Sequence, residues 1–180
     1  MRLFVGIHIP PEINENLLRF MERLRPLARL RWSPAENLHI TTKFIGEWPD
    51  NRLSEIESTL LGLEKSGPID IAIRGTGWFP DANRPRVFWA RVTSMEKALN
   101  SLARVTETAL LPLGIAADER KFSPHLTLAR IGESASLEAL RLALRSEQSE
   151  FGEFRARQFF LYLSAAGAYA KLLAFPLEKI

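Results

Sequence analysis

Two short segments of the sequence carry residues suited to acid–base chemistry. His39 is followed two positions later by Thr41, and His125 by Thr127. Histidine titrates near neutral pH, so one imidazole can accept a proton while a second one donates a proton. Threonine hydroxyls can donate hydrogen bonds to phosphate oxygens, where negative charge accumulates during cleavage. Two opposed His–Thr units therefore predict a phosphodiester-cleaving site that needs no metal ion and no cofactor.

The two tripeptides belong to a longer internal repeat. The octapeptide at residues 39–46 recurs at residues 125–132 with four identical positions, and each copy lies in a strand-like segment followed by a helix. On a strand, residues i and i+2 point to the same face, so each histidine shares a face with its threonine, while Ile40 and Leu126 point to a core. The repeat predicts two related halves, and a pseudo-two-fold axis between them would bring the two His–Thr units together across a groove.

Other interpretations of the tripeptides are weaker. A single His-x-Thr on a strand is commonly a structural pair, but the chain has only three histidines, and two of them occupy matching contexts. A metal centre lacks ligands, because each segment offers one imidazole and no paired carboxylate or thiolate. A serine hydrolase lacks the Gly-x-Ser-x-Gly turn.

The composition is that of an ordinary globular domain, with 180 residues, 46% hydrophobic and 25% charged. The absence of cysteine excludes disulfides, thiol nucleophiles and Cys-ligated zinc. No secretory leader and no run of eighteen apolar residues is found, which predicts a cytoplasmic protein without a membrane span. Eighteen of the 24 basic residues are arginine, which suits a polyanionic substrate but also fits a simple codon preference.

The elements that must position these residues mix strands and helices. Alternation and β-formers predict strands at residues 2–9, 39–45, 69–79, 86–92, 122–131, 154–164 and 168–175. Apolar residues at helical spacing predict helices at residues 12–28, at residues 53–63, from a Thr93–Glu96 capping box to Gly114, and at residues 137–144. Glycine-rich turns that bind nucleotides are missing, so we expect an α+β fold with largely antiparallel sheets.

The motifs and their surroundings resemble those of a known family. The sequence is similar to the two-histidine phosphoesterases, whose signature is two His-x-Thr-x motifs, and within them to the bacterial and archaeal RNA 2′,3′-cyclic phosphodiesterases, historically called 2′-5′ RNA ligases. The resemblance runs almost end to end and is carried by residues 2–5, 32–46, 85–89, 122–130, 161–164 and 167–169. The fourth motif position, Thr42, is usually leucine. The resemblance implies one bilobal domain over residues 1–180, with two antiparallel sheets related by a pseudo-two-fold, helices outside and the active groove between the lobes.

The resemblance also implies a reaction. A terminal ribose 2′,3′-cyclic phosphate would be hydrolysed to a 2′-phosphate, with His39 as proton donor and His125 as proton acceptor, and with Thr41 and Thr127 holding the phosphate. The reverse reaction would join ends through a 2′-5′ linkage. The expected partners are RNA ends, tRNA fragments included, or nucleoside cyclic phosphates, and the expected state is a monomer without an obligate protein partner. Two alternatives stay open: an RNA-end-binding module without turnover, and a phosphodiesterase for 2′-5′-linked oligonucleotides or a small cyclic phosphate.

Three further residues are candidates for substrate contact. Arg130 matches a basic residue that the family places after its second motif. Its offset of five from His125 puts it on the opposite face of a regular strand, so it reaches the groove only where the strand ends or bulges. Lys43, at an offset of four from His39, is expected to share the histidine face or to be a solvated lysine. Phe4 could stack on a base or belong to the core.

The remaining candidates are less distinct. Aromatic side chains that could stack on a base or fill the core are Phe44, Trp32 and Trp89. Basic side chains that could meet an RNA backbone or form a solvated rim are Arg84, Arg86, Arg120 and Lys121. His8 has no partner motif and is expected to be an incidental strand-end residue.

Overall fold

Residues 1–178, which the computed structural model describes, form nine β-strands and four α-helices. The strands are β1 (Arg2–His8), β2 (Arg31–Trp32), β3 (His39–Glu47), β4 (Ile69–Phe79), β5 (Val87–Ser94), β6 (His125–Arg130), β7 (Glu150–Ala156), β8 (Gln158–Ala165) and β9 (Ala168–Pro176). The helices are α1 (Pro11–Leu24), α2 (Leu53–Leu61), α3 (Ala98–Leu110) and α4 (Glu138–Leu144). None of these helices is long and apolar enough to span a bilayer.

The strands form two antiparallel sheets with matching order. One sheet has the order β3-β1-β8-β9, and the other has β6-β5-β4-β7 with the short β2 added beside β6. The two halves exchange strands, because β4 follows β1 and β3 along the chain but joins the sheet of β5 and β6, and β8 follows β5 and β6 but pairs with β1. The expected α+β fold with two related antiparallel sheets is confirmed. We call the β3-β1-β8-β9 sheet the first lobe and the other sheet the second lobe.

One apolar core joins the two sheets to the helices. It contains Leu3 and Leu161 from the first sheet together with Phe88 from the second. The apolar stripe predicted for the first helix is buried at Ile13, Leu17, Phe20, Met21 and Leu24. Ile40 and Leu126, predicted to point away from the histidine face, are fully buried. The alternating pattern therefore assigns one face of β3 and of β6 to the core and leaves the other face for the histidines.

Two element predictions are wrong. The capping box at Thr93 and Glu96 does not form, because β5 continues to Ser94 and its hydroxyl accepts a hydrogen bond from the Leu99 N–H at 3.1 Å. The strand predicted at residues 154–164 is two strands, because the chain leaves the second sheet after β7 and enters the first sheet as β8. The closing hairpin predicted around Gly167 is confirmed as the β8–β9 pair.

Candidate active site

The first His–Thr unit lies at the start of β3. The Nδ1 of His39 is 2.7 Å from the carbonyl oxygen of Asn37, and its Nε2 is 2.8 Å from the hydroxyl oxygen of Thr41. A carbonyl oxygen can only accept, so Nδ1–H is the donor and the neutral ring has its lone pair on Nε2. Asn37 is held in turn, because its side chain bonds the backbone of Gly167 and Tyr169 in the β8–β9 turn.

The second unit repeats this arrangement on β6. The Nδ1 of His125 is 2.8 Å from the carbonyl oxygen of Ser123, which again directs Nε2 away from its own backbone. Thr127 lies on the same face, and its backbone is fixed by Ser33, whose hydroxyl donates to the Thr127 carbonyl oxygen at 2.9 Å. The two units differ in one respect, because the structure gives His125 no hydrogen bond to its threonine hydroxyl.

The surroundings keep both imidazoles toward their neutral forms. Desolvation lowers the pKa of His39 most, and repulsion from His125 lowers it further, while the hydrogen bond to Asn37 opposes the shift. Desolvation also lowers the pKa of His125, with a smaller contribution from the positive charge of Arg130 and an opposing one from Ser123. β3 and β6, the strands that carry the two histidines, contact each other across the lobes. We call His39, Thr41, His125 and Thr127 the two-histidine site.

An extra residue at equivalent positions of β3 and β6 decides which of the next side chains share the histidine face. Val5 pairs with Lys43 and Gly6 with Thr41, so Thr42 is a bulge in β3. Phe88 pairs with Ala129 and Trp89 with Thr127, so Leu128 is a bulge in β6 at the equivalent position. Each bulge reverses the alternation of the residues that follow it.

The bulge in β6 brings Arg130 to the histidine face. Arg130 pairs with Val87, which alternates with Trp89 and Arg91 on the face that also carries His125 and Thr127. Residues paired directly across antiparallel strands project to the same side. Arg130 is exposed there, and its charge acts on His125. The sequence predicts that Arg130 reaches the groove only if its strand ends or bulges, and the bulge at Leu128 meets that condition.

The bulge in β3 has the opposite effect on Lys43. The prediction that Lys43 shares the histidine face is wrong, because its side chain is 1% exposed and points into the protein. Its ammonium contacts the carboxylates of Glu107 at 2.9 Å and Asp118 at 3.0 Å and the carbonyl oxygen of Ala116 at 2.9 Å. These contacts tie β3 to α3 and to the segment that leads into His125, so Lys43 supports the site from behind.

Aromatic side chains support His39. The Phe4 ring lies 4.6 Å from the His39 ring and stacks on Tyr162 at 4.9 Å, while Tyr169 meets the His39 ring edge-on at 5.0 Å. Phe4 is 3% exposed, so it holds His39 in place and offers no free face to a base. Close approach at this point requires Gly6, since a Cβ there would lie 2.7 Å from the carbonyl oxygen of Ile40.

His125 rests on a second aromatic group, on the other lobe. The Phe79 ring stacks on Trp89 at 4.8 Å and meets His125 edge-on at 4.9 Å. Trp89 covers Gly77, where a Cβ would lie 2.3 Å from the indole ring. The sequence did not single out Phe79. The spacing of the β4–β5 hairpin, with Phe79 opposite Val87, is the signal that could have placed it.

The other predicted residues are scattered. Phe44 is 60% exposed on the histidine face beside Phe4, whereas Trp32 packs against the core. Arg84 and Arg86 line a surface pocket on the second lobe, and Arg86 is paired with Glu133 at 3.0 Å. Arg120 and Lys121 are exposed in the segment before β6. Within residues 1–178 no three His, Asp or Glu side chains are grouped so as to hold a metal ion.

The third histidine lies beside the first. His8 pairs directly with His39 across β1 and β3, and in the other lobe Arg91 pairs directly with His125. The sequence predicts His8 to be an incidental strand-end residue, and no motif in it points to Arg91. Register between strands is needed to find such neighbours, and the spacing of the motifs does not contain it.

Comparison with known proteins places this geometry in a family. A family model described as LigT like Phosphoesterase matches residues 7–89 and 92–168. An RNA 2′,3′-cyclic phosphodiesterase of Methanocaldococcus jannaschii is 33% identical over 165 residues, covering 91% of each chain. A protein of the same name from Archaeoglobus fulgidus is 32% identical over 161 residues, covering 89% of each chain.

Solved structures agree with the two-lobed architecture. The TT0787 protein of Thermus thermophilus superposes with a TM-score of 0.80 at 29% identity, covering 98% of both chains. Escherichia coli LigT complexed with 3′-AMP superposes with a TM-score of 0.77 at 23% identity, covering 99% of this chain and 98% of that one, and this likeness concerns the fold alone. The matched family profile extends over both His-x-Thr segments and both lobes, and the chain belongs to the LigT-like phosphoesterases.

Proposed function

We propose that this protein hydrolyses the terminal 2′,3′-cyclic phosphate of RNA and leaves a 2′-phosphate. One observation carries the proposal: the Nδ1 atoms of His39 and His125 are both bonded to backbone carbonyl oxygens two residues earlier, so both Nε2 atoms are the ones left to exchange protons with a substrate. The Nε2 of His39 is 2.8 Å from the Thr41 hydroxyl, a contact that substrate would replace. The Methanocaldococcus and Archaeoglobus relatives bear the name RNA 2′,3′-cyclic phosphodiesterase, which supports this substrate class.

The proposed chemistry is an in-line displacement at phosphorus. The Nε2 of neutral His125 accepts a proton from water as the water oxygen bonds to phosphorus. The bond between phosphorus and the ribose 3′ oxygen breaks, and protonated His39 donates its Nε2 proton to that oxygen. The product carries a 2′-phosphate and a free 3′-hydroxyl. Thr41 and Thr127 donate hydrogen bonds to the non-bridging oxygens, and Arg130 adds positive charge there.

The positive charge of Arg130 supports the role of His125 as the base. Arg130 lowers the pKa of His125 in addition to desolvation, which favours the neutral form that a base requires. An anionic substrate between the rings raises the pKa of both, which allows His39 to carry the proton that an acid requires. Microscopic reversibility exchanges the roles, so the same groups would join a 5′-hydroxyl end to a cyclic phosphate through a 2′-5′ linkage.

The proposal is tested with a short RNA ending in a 2′,3′-cyclic phosphate, assayed in the presence of a chelator. We expect His39→Ala and His125→Ala each to lower kcat by about 100- to 10,000-fold. The double variant should be little slower than either single one, because the two groups act in one step. Thr41→Val and Thr127→Val should each cost about 100-fold. Thr108→Val, on the exposed face of α3, is the matched control and should retain full activity.

Phosphorus NMR of the product separates the alternatives. A 2′-phosphate supports the proposal, whereas a 3′-phosphate contradicts the assignment of the leaving oxygen. Salt-sensitive RNA binding with no turnover would favour an RNA-end-binding module. Faster cleavage of 2′-5′-linked oligonucleotides than of the cyclic end would change the substrate, and unaltered activity in the double histidine variant would overturn the mechanism altogether.

A further inference from the structure

His8 is placed by the sheet register next to the candidate proton donor. Its direct partner across β1 and β3 is His39, and side chains of directly paired residues stand on the same face about 5 Å apart. Phe4, whose ring contacts His39, precedes His8 on this face of β1. The third histidine of the chain therefore borders the two-histidine site on the side of the first lobe.

Lys171, on β9, lies on the same face of the first sheet as His8 and His39. Its partner on β8 is Tyr162, which stacks on Phe4 on the histidine face. The Lys171 ammonium lies 4.8 Å from the centre of the Phe160 ring, and the His8 ring lies 6.1 Å from the same ring. Both basic side chains therefore lie beside the same phenyl ring. Desolvation lowers the pKa of His8 most, and the positive charge of Lys171 lowers it further.

This basic pair lacks a counter-charge within residues 1–178. No carboxylate there lies within 4.0 Å of Lys171 or His8, although Lys43, Arg74 and Arg155 each have such a partner. Neither side chain makes a hydrogen bond to another described residue. Two basic groups that lie beside one ring without a carboxylate repel each other when both are charged, and an anion that contacts both offsets that repulsion.

The direction of the proposed reaction indicates which anion would arrive there. In an in-line displacement the attacking water and the leaving 3′ oxygen lie on opposite sides of phosphorus. The water lies beside His125 and the leaving oxygen beside His39, so the ribose and the RNA chain attached to it extend over the first lobe. The phosphate on the 5′ side of the terminal nucleoside is one nucleotide away from the reacting phosphorus, in the direction of His8 and Lys171.

We propose that His8 and Lys171 form a second anion site that binds the phosphate on the 5′ side of the terminal nucleoside. The inference rests on the proposed function for the direction of the chain, and it makes the protein favour RNA ends over free nucleoside cyclic phosphates. Arg91, the counterpart beside His125, faces the water side and takes no part in this site.

The test compares two product-like probes by calorimetric titration, namely adenosine 2′-monophosphate and adenosine 2′,5′-bisphosphate. The second probe adds only the 5′-phosphate. We expect the protein to bind the bisphosphate about fivefold more tightly, as for one partly solvated charge pair. Lys171→Ala should abolish this advantage, His8→Asn should reduce it, and Lys171→Arg should retain it. Arg104→Ala, which removes a positive charge from the exposed face of α3, is the control and should leave the advantage unchanged.

Turnover is measured separately with adenosine 2′,3′-cyclic phosphate and with a dinucleotide that ends in the cyclic phosphate. Lys171→Ala should lower kcat/KM about fivefold for the dinucleotide and less than twofold for the mononucleotide. Equal losses on both substrates, or a bisphosphate advantage that persists in Lys171→Ala, would overturn the second site. Absence of turnover on either substrate with an intact bisphosphate advantage would count against the proposed function and leave the second site standing.

Discussion

Replacement of Lys43 by methionine should destabilise the protein without weakening substrate binding. The side chain is 1% exposed, and its ammonium holds two carboxylates and one carbonyl oxygen. Removing one partner of a buried ion pair costs about 3 to 5 kcal/mol. Glu107 and Asp118 are 29% and 49% exposed, so water can solvate them after the change, which brings the expected loss toward about 3 kcal/mol. Methionine retains most of the side-chain volume, so cavity formation adds little.

The loss is large enough to measure. For a chain of this size, each kcal/mol corresponds to about 2 to 4 °C in Tm, so we expect a decrease of about 6 to 12 °C. Denaturant unfolding gives the free energy of unfolding directly, and Lys121→Met in an exposed position is the matched control, with an expected change below about 0.5 kcal/mol. An unchanged Tm together with a raised KM would refute the reasoning, because it would place Lys43 in contact with substrate.

Two further changes test the interior and the imidazoles. Thr42→Val should raise the free energy of unfolding by about 1 kcal/mol, because the Thr42 hydroxyl is buried without a hydrogen-bond partner in the described residues. The control Thr108→Val should leave the free energy of unfolding unchanged, and a Thr42→Val variant no more stable than the wild type would contradict the burial argument. Burial lowers the pKa values of His39 and His125 from 6.5, so the unfolded chain binds more protons than the folded one as the pH falls. Their contribution to stability should be complete above about pH 6.5 and lost as the pH falls through the folded-state pKa values. A variant with both His39→Gln and His125→Gln should therefore show a smaller decrease in Tm between about pH 8 and pH 5 than the wild type. Equal decreases in Tm for the two proteins would contradict the pKa shifts.

Strand alternation predicted much of the site. It placed Thr41 on the face of His39, where the structure shows a hydrogen bond between them, and it sent Ile40 and Leu126 to the core. Period-two geometry is local, so two residues on one regular strand suffice to apply it. The internal repeat predicted that the two halves are related, because similar segments with similar neighbouring elements fold alike.

Alternation failed at Lys43 because it assumes a regular strand. The bulge at Thr42 inserts one residue and reverses the faces beyond it. A clue was present in the second copy of the repeat, where the position equivalent to Lys43 is Ala129, an apolar residue that is fully buried. A buried lysine at this position then requires carboxylate partners, which Glu107 and Asp118 supply.

The remaining surprises depend on contacts between distant segments. The division of residues 154–164 between β7 and β8 follows from the separation of the two sheets, which no property of Arg157 and its neighbours indicates alone. The pairing of His8 with His39 depends on register, which is set by the bulges and by the packing of the sheet as a whole.

The strand exchange between the halves also determines when the first sheet can form during synthesis of the chain. β1 is an inner strand of its sheet, and its partner β8 arrives 154 residues later, as the pairing of Gly6 with Phe160 shows. At ribosomal speed this delay is roughly 8 to 30 s. During that time the strand that bears His39 belongs to a two-stranded ribbon with an open apolar edge, which is marginally stable in water and prone to pair with other chains. The nascent chain is therefore expected to need chaperone protection until β8 has left the ribosome.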